Sequence, residues 1–250
     1  MDVVVCTKYV PSDTPTLGPD HLVVRSGVDG MLDPGDEYGV ELALQLTERH
    51  GGEVTVVSMG PDEAGQAIQR ALAMGAQRGI HVVDPALRGA DALVTARVLA
   101  AAIGRVPFDL VVGGVESTDG YTGTVPVTIA ELLGIASVTA IRTLEPSAAG
   151  ARIERMTEGG FDVYECPLPA VVTVTAGAVE PRYPSLKGIM QAKQKQVDRP
   201  TLADLGVPAV AATQRVTSVT DAAAKAGGQI VQGDEAVERI VELLEDAKVI

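Results

Sequence analysis

The chain has 250 residues and a formal charge of −13, from 20 Lys and Arg against 33 Asp and Glu. No basic patch or Arg-rich stripe stands out, which argues against nucleic-acid binding. Hydrophobic residues make up 46% but aromatics only 3%, with no Trp, so Val, Ala, Leu and Ile must fill the core. A core of small, branched side chains suits a buried parallel sheet with helices on both faces.

Cys6 and Cys166 are the two cysteines and lie far apart. A zinc or iron–sulfur site and a disulfide framework are both disfavoured, which points to a reducing compartment. Met1 leads directly into Val3-Val4-Val5, with no basic stretch ahead of a long apolar segment and a cleavage site. The expectation is a cytoplasmic chain without signal peptide or membrane span.

Residues 2–7 (DVVVCT) predict a buried strand that ends before Pro11. Residues 21–33 predict a hairpin, with Gly27 and Asp29-Gly30 as turn signals. A helix should follow, capped by Asp33, with Pro34 in its first position and Asp36 and Glu37 in its first turn. Val40, Leu44 and Thr47 would share its buried stripe, with Ala43 beside it. Strands are then expected at 53–58, 79–83 and 108–112, alternating with helices at 62–74, 91–103 and 123–134. Such alternation with short connections argues for parallel βαβ units.

After residue 136 the pattern becomes strand-like and helix-poor, over 137–144, 151–157, 161–165 and 170–176, with a turn at Gly159-Gly160. Antiparallel edge strands are the expectation there. Residues 178–198 carry Pro181, Pro184 and a short helical stretch; beyond Val207 the chain is Ala- and Thr-rich, with Gly227-Gly228 and a final helix over 234–247. The expected organisation is an α/β domain over 1–197 and a C-terminal arm over 198–250.

Ligands of open α/β sheets bind beyond the carboxyl ends of the strands. The best anion-site candidate follows the 108–112 strand: Gly120 and Gly123 allow close backbone approach, Thr118, Thr122 and Thr124 offer hydroxyls, and the helix from about Gly123 aims N–H groups at a phosphate. A capped turn without ligand has the same spacing. The segment is neither a Walker loop nor a GxGxxG fingerprint. His21, His50 and His81 are scattered, His81 reading as structural inside an apolar strand, and Glu235, Glu238, Glu242 and Glu245 fall on a solvated helix face. No nucleophile–base pair follows from spacing, so the expected role is binding or carrying rather than catalysis, with no metal site.

Residues 165–195 read ECPLPAVVTVTAGAVEPRYPSLKGIMQAKQK, with Pro169-Ala170-Val171, Glu180-Pro181-Arg182-Tyr183, Leu186 and Ile189-Met190 in order. This segment resembles the signature of the electron transfer flavoprotein β subunit. Lys8, Val10 and Pro11, then Asp33-Pro34-Gly35-Asp36-Glu37, residues 71–81 and residues 116–125 extend the likeness along nearly the whole chain.

The resemblance implies a Rossmann-like fold of the adenine nucleotide alpha hydrolase type. It implies a heterodimer with an α subunit that holds most of the FAD, and an AMP buried in this chain. By position, AMP contacts would come from Cys6, Asp33, Pro34, Gly35, Asp36, Met59, Glu116, Ser117, Thr118, Asp119, Gly120, Tyr121, Thr122, Gly123, Thr124 and Val125. A docking loop over 180–195 would present Leu186 as anchor, with Tyr183, Pro184, Ile189, Met190, Lys193 and Lys195, to flavin dehydrogenases such as acyl-CoA dehydrogenases. Electrons would then pass to a membrane quinone oxidoreductase, and the arm would wrap the α subunit. Asp162 stands where the family has a Glu that contacts the flavin domain, and Gln191 and Gln194 thin the basic end of the loop. Two alternatives stay open: a bifurcating subunit with a second FAD in the AMP position, and a free-standing nucleotide sensor of the universal-stress type.

Overall fold

The all-valine run becomes strand β1 (Val3–Cys6), which pairs in parallel with neighbours on both sides. Val3, Val4 and Val5 are buried, as a strand covered on both faces requires. A computed structural model describes residues 1–25, 27–208, 211–220, 230–233 and 235–250; the Gly227-Gly228 pair lies outside them. Two compact units are present, Met1–Val216 and Thr217–Ile250.

Beyond β1, β2 (Tyr9–Pro11) and β3 (Gly30–Leu32) form a separate antiparallel ribbon, with Val10 opposite Met31. The hairpin expected within 21–33 is therefore corrected: residues 30–32 pair back to 9–11, and the excursion between them carries a single bridge, Leu17 to Val23. A side chain at Gly30 would start 2.3 Å from the Tyr9 ring. Gly30 thus lets the strand close over Tyr9, and burying that ring outweighs a local turn.

Helix α1 (Pro34–His50) starts as expected, with the Asp33 side chain accepting the Gly35 N–H. Val40, Ala43, Leu44 and Thr47 are buried. Next come β4 (Val54–Met59), a 3₁₀ turn over 62–64, α2 (Gly65–Met74) and β5 (Arg78–Val82). Helix α3 (Ala92–Ile103) is capped by Asp91, β6 (Leu110–Gly114) follows, and α4 (Val125–Leu133) ends at Gly134 in the left-handed region. Strands β7 (Ala136–Ser147), β8 (Gly150–Thr157), β9 (Gly160–Cys166) and β10 (Ala170–Val174) precede α5 (Leu186–Ala192), β11 (Val197–Asp198) and α6 (Leu202–Leu205).

The main sheet has nine strands in the order β11-β5-β4-β1-β6-β10-β7-β8-β9. All pairings are parallel except β7–β8 and β8–β9. One core lies under α1 and α2, the other under α3 and α4. The chain is thus a mostly parallel α/β fold of Rossmann-like type. The expected antiparallel strands are β8 and β9, but β10 inserts between β6 and β7 and runs parallel to both. Its residues AVVTV are buried throughout, and such a run is stable inside a sheet rather than at its rim.

The sequence places the domain boundary at 197/198, but Val197 pairs with Gly79 at the sheet edge and Leu202 is buried against the α3 side. The Asp91 carboxylate also accepts from the Thr213 N–H and hydroxyl and from the Gln214 N–H. Residues 198–216 accordingly belong to the first unit. The second unit contains helix α7 (Glu235–Asp246), which exposes Val237, Ile240, Val241 and Leu244 along one side. Among the described residues, no helix is long and apolar enough to cross a membrane.

Candidate functional site

From β1 the chain moves outward to β4 and β5, then returns to place β6 on the other side of β1. The direction of winding therefore reverses between β1 and β6, and a crevice beyond the carboxyl ends at such a point is the usual ligand site of this architecture. Helix α1 packs closely on β1 and β6 there because residue 39 is glycine: a side chain at that position would start 3.2 Å from the Val112 methyl and 3.6 Å from the Val5 methyl.

Two buried carboxylates join the segments that line the crevice. Asp33 is fully buried; one of its oxygens accepts the Gly35 N–H at 2.9 Å, and the other accepts the Thr118 N–H at 2.7 Å and the Thr118 hydroxyl at 2.9 Å. Asp36 accepts the Lys8 N–H at 2.7 Å and the Gly114 N–H at 3.1 Å. The sequence marks both as nucleotide contacts; their carboxylates accept from the protein and hold β1, β6, α1 and the 115–124 loop together. Burial, then the neighbouring Asp33, raises the Asp36 carboxyl to about 7, against the pull of the Lys8 and Gly114 N–H groups. Burial and Asp36 push the Cys6 thiol up to about 12, so at neutral pH it is an uncharged wall of the crevice.

In the loop, the Asp119 side chain is buried and pairs with Lys8 at 2.6 Å and with Arg25. Lys8 also donates to the Ser117 hydroxyl at 3.0 Å. Burial works against the charge on Asp119, but Lys8 and Arg25 more than offset it and hold the carboxyl below its usual range. Tyr121 takes φ 48° and Gly123 φ 60°; a left-handed tyrosine is sterically costly and is typical of backbone shaped for a ligand. Helix α4 then starts at Thr124 without a side-chain cap. Its first-turn N–H groups have no intrahelical acceptor and carry the positive end of the helix dipole. Gly113 lies between these ends at ordinary packing distance, a side chain there falling 3.6 Å from Pro126 and 3.9 Å from Cys6. Cys6, Met59 and Val125 share the half-buried margin of the core under α3 and α4. Glu116, Gly120 and Thr122 are exposed on the loop, and Pro34 and Gly35 open α1 beside it.

The docking candidates stand apart from this crevice, on α5 and the chain before it. Tyr183 is 88% exposed, Leu186 77% and Met190 65%; Ile189, Lys187 and Lys193 are also exposed. Lys195 is turned inward, donating to the carbonyls of Leu72 at 2.8 Å and Ala76 at 2.6 Å. Asp162 lies exposed on β9, 3.5 Å from the Tyr164 hydroxyl that donates to it. His81 is buried in β5 opposite Ser58 of β4, and burial, then Arg199, holds its imidazole below the usual range.

Sequence reasoning missed Arg25, which arrives from the excursion between β2 and β3, and Glu41. The latter is buried on α1 with its carboxylate on Arg182. A carboxylate next to Val40 on a predicted buried stripe was the available signal for Glu41; Arg25 had none.

A family model described as "Electron transfer flavoprotein domain" matches residues 20–205. Proteins named electron transfer flavoprotein subunit beta are similar over most or all of their length. The Mycobacterium leprae protein is 38% identical across 100% of this chain and 99% of its own length. That of Thermoanaerobacterium thermosaccharolyticum is 36% identical across 100% of both, and that of Bacillus subtilis 36% across 90% of both. The sheet order, the crevice at the reversal of winding and these full-length similarities together make the chain a member of the electron transfer flavoprotein β-subunit family.

Proposed function

We propose that this chain is the AMP-holding, dehydrogenase-docking subunit of a heterodimer in which FAD is carried mainly by the α subunit. The supporting observation is the uncapped start of α4 behind the left-handed Tyr121 and Gly123, at the reversal point of the sheet. A phosphate is the ligand that such N–H groups suit best. The residues fit AMP: Thr122 to Val125 would hold the phosphate, and the uncharged Cys6, Met59 and Val125 would face the adenosine. Asp33, Asp36 and Asp119 hold the walls. Bound FAD supplies the electron chemistry, and this chain supplies geometry and docking surface. Electrons would come from flavin dehydrogenases, such as acyl-CoA dehydrogenases, and leave to a membrane quinone oxidoreductase, with the cytoplasm as the compartment. Residues 217–250 would serve as the arm on the α subunit, with Val237, Ile240, Val241 and Leu244 of α7 as its buried side.

Releasing the nucleotides from the purified complex by denaturation is the direct test. One AMP and one FAD per heterodimer are expected; two FAD would replace AMP by a second flavin in the crevice. For docking, Leu186→Ala is expected to raise the KM for the dehydrogenase about tenfold or more, the usual effect of truncating an exposed apolar anchor, with FAD content unchanged. An unaltered KM would remove Leu186 from the interface.

A further inference from the structure

The exposed front of the 180–195 segment has an ordered back. At its start, the Arg182 guanidinium forks onto two carboxylates of α1. Its Nε and Nη2 donate to Glu41 at 2.8 and 3.0 Å, and its Nη1 and Nη2 donate to Glu48 at 2.5 and 3.1 Å. The Arg182 backbone N–H donates to Glu41 as well, at 3.2 Å. Glu41 is itself oriented by Gln45, one turn along, whose amide donates at 2.9 Å. Glu41 and Glu48 are seven residues apart and so lie on one face of the helix. Only a planar fork of donors can serve both carboxylates together.

At the far end, the Lys195 ammonium donates to the carbonyls of Leu72, Gly75 and Ala76 at the C-terminus of α2. Those carbonyls lack helical partners and carry the negative end of the helix dipole. Between the two cations, α5 sits directly on α2: a side chain at Gly188 would start 2.4 Å from the Ala73 carbonyl oxygen, and Ala192 is buried. Tyr183, Leu186 and Met190 point away from all of these contacts into solvent.

We propose that Arg182 and Lys195 are positioning residues for docking, stapling the segment to α1 and α2 so that Leu186 and Met190 are presented in a fixed arrangement. The inference rests on the docking reading of residues 180–195. A binding surface that is already ordered loses less conformational freedom on association than a free loop, and its affinity rises accordingly. The staple therefore acts on KM rather than on the electron-transfer step. It also gives Lys195 a role inside the subunit instead of on the partner.

Removing Arg182 alone leaves the buried Glu41 carboxylate without its cation. The informative variant is thus Glu41→Gln combined with Arg182→Gln, which removes both charges together, with Lys195→Met as an independent second variant. Each would be purified as the heterodimer and assayed with an acyl-CoA dehydrogenase and its acyl-CoA substrate. Amide exchange over residues 183–194 is expected to quicken about tenfold, and KM for the dehydrogenase to rise about tenfold with kcat held, in line with the ordering of several side chains. Arg182→Lys, which keeps the charge but not the fork, should fall between. FAD content and melting temperature verify assembly, and Lys195→Met carries the same test if the double variant does not assemble. Unchanged exchange would overturn the staple, as would faster exchange with unchanged KM. Leu186→Ala run in parallel separates the two failures. A KM that responds to Leu186→Ala but not to the staple variants rejects the staple alone, whereas a KM indifferent to both rejects docking through this segment.

Discussion

Asp33→Ala is expected to destabilise the subunit by about 3 kcal/mol and to strip the crevice of the AMP proposed for it. The substitution removes the side-chain cap of α1, which alone is worth about 1 kcal/mol. It also takes away the charged acceptor of the Thr118 N–H and hydroxyl; hydrogen bonds to a charged group contribute about 1.5–3 kcal/mol, and Thr118 lies at the exposed surface where water recovers part of the loss. One relief opposes these losses, since the negative charge facing Asp36 disappears.

The second consequence follows from where the lost bonds lie. Thr118 begins the turn that carries Asp119, Tyr121 and Gly123 to the start of α4, and Asp33 ties that turn to α1 across 85 residues of sequence. Without the tie the loop loses the arrangement that aims the α4 N–H groups into the crevice. Denaturant unfolding of the purified complex, together with nucleotide content after denaturing release, checks both effects. Asp33→Asn keeps one acceptor oxygen and should show a smaller loss of each. A native midpoint with full nucleotide content in Asp33→Ala would mean that the tie shapes neither the fold nor the crevice.

What could be read in advance divides along the range of the forces involved. Helix α1 was legible because its determinants are local: Asp33 caps, Pro34 opens, and the stripe of Val40, Ala43, Leu44 and Thr47 repeats with the helical period. The β1, β4, β5 and β6 strands were legible from their apolar runs. The position of β10 was not, because an apolar run states that both faces are covered without saying by which neighbours; placing it between β6 and β7 requires the whole sheet. The ribbon of β2 and β3 depends on the Tyr9 ring over Gly30, a contact 21 residues apart that competes with nearer turn residues. In the site, the glycines and hydroxyls of residues 116–125 suggested a phosphate loop, and the left-handed Tyr121 and Gly123 lie within it. The functions of the charged residues around it were hidden, since Asp33, Asp36 and Asp119 all accept from groups of this chain that are distant in sequence. The bonds of Lys195 were hidden for the same reason: a lysine near the end of a basic segment suggests steering, and nothing local announces that its ammonium reaches the carbonyls at the end of α2.

A carboxyl whose affinity for protons is greater in the folded chain makes stability fall as pH rises, and Asp36 is such a group. Its carboxyl is raised from 3.8 to about 7 by burial first and by the Asp33 charge second. Between these two values the folded chain binds more protons than the unfolded one, so the slope of stability with pH is negative. The favourable contribution is complete below about pH 4 and is lost as pH passes through 7. A rise of this size corresponds to at most about 4 kcal/mol. Asp91, held at about 2 chiefly by the Val94 N–H, acts in the opposite sense, its contribution being lost only as pH falls below the ordinary carboxylate range. Asp119, held low against burial by Lys8 and Arg25, does the same. The two tendencies together place the stability maximum on the acid side of neutrality. Asp36→Asn separates them. The amide cannot accept both the Lys8 and the Gly114 N–H, which costs about 1 kcal/mol at every pH, but it buries no charge. The variant should therefore match the native subunit near pH 5 and exceed its stability by about 2 kcal/mol at pH 8, measured by denaturant unfolding of the complex at the two pH values. Parallel pH profiles for the two proteins would show that Asp36 is charged throughout, with its two N–H donors outweighing burial and the Asp33 charge.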